Sequence, residues 1–240
     1  MTSAMPALEQ FSPTRSGRTA YAATAILAGL GFLFVAFLSA IGAYDEVPPV
    51  GHVYGAHVEG FAGVISRLAD HVSYFTEWSN AVVAIAFGIA AWRPHPLTRV
   101  KRVLLGSALV MITVTAIVYQ VLLAPTAHVT GWSVLTNPWQ HMVVPVMVVV
   151  VYLVWGPRGW LRRDVILPIL IIPVAWLIWA LTRGAIVGAY PYGFLDASTH
   201  GWPAVLTTVA MILAFGVVLA LGFWGLDVAI RRQQRRRLAR

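Results

Sequence analysis

Six apolar runs divide this chain: Ala22–Tyr44, Ser73–Trp92, Val103–Leu123, Asn137–Trp155, Val165–Ile186 and Trp202–Ala229. About 20 mostly apolar residues are needed for a helix to cross a bilayer core. The alternating ten-residue pattern of a spanning β-barrel is absent, and continuous stretches such as Met142–Trp155 favour helices. The pattern predicts an all-α polytopic membrane protein with six transmembrane helices. Between the first two runs, Phe61, Val64, Ile65 and Leu68 recur at helical spacing, which predicts an interfacial helix over about 59–72.

Charge orients the bundle. Fifteen of the seventeen basic residues fall in the N-terminal segment, in the loops after the second and fourth runs, and in the tail. The opposite loops hold only Arg67 among basic residues, with Asp45, Glu46, Glu59, Asp70 and Asp196. This bias places both termini in the cytoplasm. Residues 1–21 then form a cytoplasmic N-terminal segment, 22–229 the transmembrane domain and 230–240 a basic cytoplasmic tail. A basic tail beside a span touches anionic lipid headgroups; no nucleic-acid partner is expected. The first run is longer than a signal-peptide core, so it reads as an uncleaved span.

Composition agrees. Hydrophobic residues make up 59% and charged residues 11% of the chain, and mean hydropathy is +0.75. The expected location is a membrane, that of a bacterial cell. With no cysteine, thiolate nucleophiles and cysteine metal sites are excluded.

Polar side chains in the spans gather in one layer near the outer face. Thr76, Glu77, Ser79 and Asn80 open the second span; Tyr119 and Gln120 end the third. Asn137, Gln140 and His141 open the fourth, Thr182 and Arg183 lie late in the fifth, and His200 leads into the sixth. Thr76 is three residues past the start of its run and His141 four past its own, so in parallel spans the two come level. A hydroxyl is a weak nucleophile until a base takes its proton, and imidazole suits that work near neutral pH. On helical spacing Asn80 lies one turn from Thr76, and Asn137 one turn from His141. Either asparagine orients the imidazole or donates to an oxyanion. Glu77 adjoins Thr76 but points about 100° away around an ideal helix. Arg183 is placed to snorkel outward, to pair with Glu77, or to bind an anionic group such as a carboxylate. No two histidines sit at the i, i+3 or i+4 spacing of a helical metal motif, and Gly-rich phosphate loops are absent, so neither a metal nor a cofactor is expected.

At three places the chain resembles the androgen-induced-gene-like (FAR-17a/AIG-like) family of six-span membrane proteins. These are Ser73-Tyr-Phe-Thr76-Glu-Trp-Ser-Asn80, then Asn137-Pro-Trp-Gln-His141 followed by Pro145, and Tyr190-Pro191-Tyr192-Gly-Phe-Leu-Asp196. The resemblance implies a hydrolase of fatty acid esters of hydroxy fatty acids in which Thr76 and His141 are the catalytic pair. It departs from the animal members at Glu77 and in the outer loops. The resulting expectation is a membrane lipid-ester hydrolase with a threonine nucleophile and a histidine base. Glu77, Asn80, Tyr119, Gln120, Asn137, Arg183, Tyr190 and His200 are its supporting or substrate-binding residues. Two other functions fit the same polar layer: a non-enzymatic lipid-binding or solute-transport protein, and an acyltransferase using the same pair.

Overall fold

A computed structural model describes residues 14–44, 52–55, 57–58, 60–127 and 129–238. Asp45, Glu46, Glu59 and His128 lie outside the described residues. The chain is 81% helix and contains no strand among the described residues.

Five helices are long and apolar enough to cross a membrane. They are α1 (Arg15–Ala40), α4 (Arg99–Leu123), α5 (Ser133–Trp155), α6 (Arg163–Val187) and α7 (Trp202–Leu238). Between α1 and α4 come the 12-residue α2 (Gly60–His71) and the 18-residue α3 (Phe75–Trp92). The second apolar run is thus a helix, but its first two turns are polar. Helix α7 does not end near residue 229: it continues through Arg231, Arg232 and Arg235–Arg237, so the basic segment forms its last turns.

Local sequence explains the boundaries. The Thr14 hydroxyl accepts from the Gly17 N–H, and that of Thr98 accepts from the Lys101 N–H, which starts α1 and α4. Helix α6 stops at Gly188, whose φ of 74° lies in the left-handed region that glycine enters without a Cβ clash. Helix α5 carries a π-turn at Trp139–Val143, between Pro138 and Pro145. The two prolines remove two intrahelical N–H donors, which loosens the i→i−4 ladder there. Helix α4 ends in a second π-turn, Tyr119–Leu123.

Helix α4 is the most enclosed span, with 56% of its apolar window buried against 17% for α7. Leu105, Leu109, Met111 and Ile112 fill the centre, with Val83 and Phe87 of α3 and Val144 and Val148 of α5 packed in the same core. The outer surface carries exposed Leu33, Val146, Ile178 and Val218 from four helices, the apolar belt that lipid demands. At the basic end, Asp227 is fully buried and accepts from the Gly159 N–H at 2.9 Å, while Arg102 donates to the Gly159 and Trp160 carbonyls at 3.1 Å. These bonds hold the α5–α6 loop against α4 and α7.

At the other end, two loops pair across the bundle. The Tyr190 N–H donates to the His52 carbonyl at 2.7 Å, and the Tyr54 N–H to the Tyr190 carbonyl at 3.1 Å. The Tyr190 ring lies against Gly184, where an added Cβ would meet its Cδ1 at 2.2 Å. Gly184→Ala should therefore lower the thermal midpoint in detergent by roughly 2–10 °C, the range expected for overpacking a buried contact. Gly193→Ala, with open space around it, should leave the midpoint unchanged.

Candidate functional site

The polar start of α3 faces the π-turn of α5. Thr76 Oγ1 and His141 Nε2 are 3.1 Å apart, and both residues are 8% exposed. His141 Nδ1 is 3.0 Å from the Asn137 carbonyl, which can only accept. Nδ1 therefore carries the proton in the neutral imidazole, and Nε2 is left as an acceptor for the Thr76 hydroxyl. The Tyr119 ring stacks on the imidazole at 3.9 Å between centroids, with planes 24° apart. The two π-turns, one on each of α4 and α5, supply the two stacked rings.

Tyr192 completes the surroundings of Thr76. Its phenolic oxygen accepts from the Phe75 N–H at 3.1 Å, and it also meets the side chain and backbone of Thr76. Burial pushes the phenol up to about 12, against these hydrogen bonds, so it remains a donor at neutral pH. Tyr74, Trp176 and Phe194 pack around the Tyr192 ring. The result is a connected set of polar contacts in which the Phe75 N–H donates to Tyr192, Thr76 donates to His141, and His141 donates to the Asn137 carbonyl.

A second rung lies beside the first. Gln140 Nε2 donates to Glu77 Oε2 at 3.1 Å, with both residues buried. From α2, His71 brings Nε2 to 3.7 Å from the same oxygen, and its ring packs on Phe32. Thr76, His141, Glu77, Gln140, His71 and Tyr192 all line one cavity of about 450 Å³.

The other residues singled out in the sequence divide clearly. Glu77 shares the cavity despite its offset around the helix. Asn137 reaches His141 through its backbone carbonyl rather than its amide. The Asn80 side chain donates to the Thr76 carbonyl at 2.9 Å, bracing the turn that carries the hydroxyl, and lies off the cavity wall. Arg183 pairs with Asp70 at 2.6 Å, not with Glu77, and lies 4.5 Å over the Tyr54 ring. Its guanidinium ties α6 to α2. Burial raises the Asp70 carboxyl above its usual range, and the Arg183 hydrogen bond works against that rise. Tyr190 serves the loop pairing and not the cavity. Gln120 and His200 are exposed and away from it. The sequence reading left Tyr192 out of the site, although it sits in the same motif as Tyr190, and weighed His71 only as a metal ligand beside Glu77, His141 and His200; His71 closes the buried end of α2. Among the described residues, no three metal-ligand side chains converge.

Burial pushes His71 down to about 4. The folded protein therefore holds this imidazole neutral between pH 4 and the unfolded value of about 6.5. In that window the unfolded chain binds the extra proton, so stability rises with pH and is lost as pH falls from about 6.5 to about 4. His71→Phe, which keeps the contact with Phe32, should flatten this part of the profile. The check is the thermal midpoint of both proteins across pH 4–8.

Comparisons with protein-family models, curated proteins and solved structures give no match to this chain.

Proposed function

We propose that this protein is an integral membrane hydrolase of lipid esters, of the kind exemplified by fatty acid esters of hydroxy fatty acids. The observation that carries the reading is the Thr76–His141 contact, with the imidazole held by the Asn137 carbonyl in the tautomer a base requires. Thr76 Oγ1 attacks the ester carbonyl carbon as its proton passes to His141 Nε2. The carbon–oxygen bond to the alcohol then breaks, and the imidazolium gives that proton to the departing oxygen. Water attacks the acyl-threonine by the same route, which releases the acid and restores the hydroxyl. Tyr192 meets Thr76 beside this contact. An apolar belt around a polar cavity suits a substrate with greasy chains and a polar linkage.

Because nucleophile and base act as a unit, their losses do not add. Thr76→Ala and His141→Ala should each lower hydrolysis of a long-chain ester by at least about 100-fold, and the double variant should be little worse. Thr76→Ser should keep part of the activity. Wild-type turnover by Thr76→Ala would make the hydroxyl structural and end the hydrolase reading.

The same reading counts α3 as a sixth span, with both termini and the basic end of α7 in the cytoplasm of a bacterial cell. There Arg231, Arg232 and Arg235–Arg237 meet anionic headgroups. Reporter fusions after Arg240 and near Val53 should report opposite sides of the membrane. An external C-terminus would reverse the orientation.

A further inference from the structure

The Thr76–His141 chemistry leaves a cation on the cavity wall unused. Arg67 of α2 lines the cavity and is only partly buried. Its Nε donates to the Ser39 carbonyl at 2.9 Å and its Nη2 to the Ala40 carbonyl at 3.0 Å. Both carbonyls belong to the last turn of α1, where the helix dipole favours a cation. Two glycines make room for the guanidinium: a Cβ added at Gly63 would meet Nη1 at 2.9 Å, and one at Gly42 would meet Cζ at 3.7 Å. The fork is thus fixed on one side and open on the other. Nη1 has no hydrogen-bond partner among the described residues, and Arg67 joins none of the ion pairs found among them. The charges near it are already matched. Arg183 lies off the cavity wall and pairs with Asp70, which His57 also faces.

A guanidinium keeps its charge at any physiological pH. One that is partly buried without a counter-ion has given up hydration and gained no opposite charge in return. The missing partner is therefore an anion. A carboxylate fits best: its two oxygens match the planar fork, and its single charge equals that of one guanidinium. A phosphate monoester would bring close to two negative charges to one cation. The position of Arg67 adds a length. It meets α1 at Ser39 and Ala40, whereas His71 packs on Phe32, seven residues earlier. Helical rise makes that about 10 Å. His71 marks the level of Glu77, the neighbour of Thr76. Cation and nucleophile thus stand at two levels of one cavity.

We propose that Arg67 is a carboxylate-binding subsite, which holds the ionised end of a long-chain acid while the chain extends past Thr76. On the hydrolase reading, the ester substrate carries a free carboxylate roughly 10 Å from the bond that is cleaved, and Arg67 is the positioning residue that sets this distance. That assignment rests on the hydrolase reading; recognition of the carboxylate does not.

The test uses the full-length protein in nanodiscs of zwitterionic lipid at pH 8, with laurate and dodecanamide as probes and calorimetry, corrected for empty nanodiscs, as the readout. The amide keeps the chain and the planar head but not the charge. The wild type should bind laurate about ten-fold more tightly, which corresponds to about 1.4 kcal/mol. Arg67→Gln should reduce that preference to less than about two-fold and leave the affinity for dodecanamide unchanged. Arg67→Lys keeps the charge but not the fork, and should lower the preference to about three-fold. Thr76→Ala should lose ester hydrolysis and keep the full preference, so failure of the hydrolase reading and failure of the subsite are read separately. Equal binding of the two probes by the wild type would overturn the proposal. So would a ten-fold preference that survives in Arg67→Gln, which would trace it to the net charge of the protein. A loss of both probes in Arg67→Gln would make Arg67 a structural tie between α1 and α2. If Arg67→Gln does not fold, Arg67→Lys decides, because an undiminished preference there would also overturn the subsite.

Discussion

A polar side chain inside an apolar bundle must find a partner, because water is not there to supply one. That constraint governs the N-terminal half of α3. Thr76 and Glu77 are matched by His141 and Gln140 of α5. Ser79 reaches Thr115 of α4 at 2.8 Å and also bonds its own Phe75 carbonyl. Asn80 turns back on the Thr76 carbonyl. Each bond is worth only about 0.5–1.5 kcal/mol net, but leaving any buried partner unmade costs more. Rotating α3 would break several at once. The helix is therefore locked in one azimuth by polar contacts at its N-terminal end and by Val83, Ala86 and Phe87 further along.

The loops at that end extend the lock. The Asp70–Arg183 pair joins α2 to α6, and the bridge between Val53 and Tyr190 joins the loops beside them. Together they deliver two groups to the cavity from outside the spans: His71 from α2 and Tyr192 from the α6–α7 loop. An ion pair with both side chains about nine-tenths buried is weak support for stability. Its position suggests alignment instead. Without Arg183, Asp70 would be a buried carboxylate facing His57, 3.3 Å away, and the end of α2 that carries His71 would lose its tie to α6.

The apolar runs were enough to locate every long helix, because burial in lipid writes itself into 20-residue stretches. The meeting of Thr76 and His141 was legible for the same reason: depth along parallel spans follows from counting residues past the run starts. Direction around a helix was less legible. Glu77, offset by about 100° from Thr76, did not have to share its face, yet the cavity is lined by two consecutive residues on each helix. The partner of Arg183 was illegible, since Asp70 lies on a short helix whose docking depends on contacts more than a hundred residues apart in sequence. Asn137 acts through a backbone carbonyl, which its side-chain identity does not report.

The π-turn shapes the α5 side of the site. In a regular α-helix, neighbouring residues diverge by about 100°, as Thr76 and Glu77 do at the start of α3. A turn with i→i+5 bonds takes one more residue into the loop of the helix and narrows that angle for Gln140 and His141. The prolines at 138 and 145 favour that turn by withholding donors on either side of it. At the same turn the Asn137 carbonyl accepts from the imidazole Nδ1–H at 3.0 Å. One local irregularity thus does two things together. It turns the imidazole toward Thr76 and sets Gln140 beside Glu77, on the wall of the same cavity.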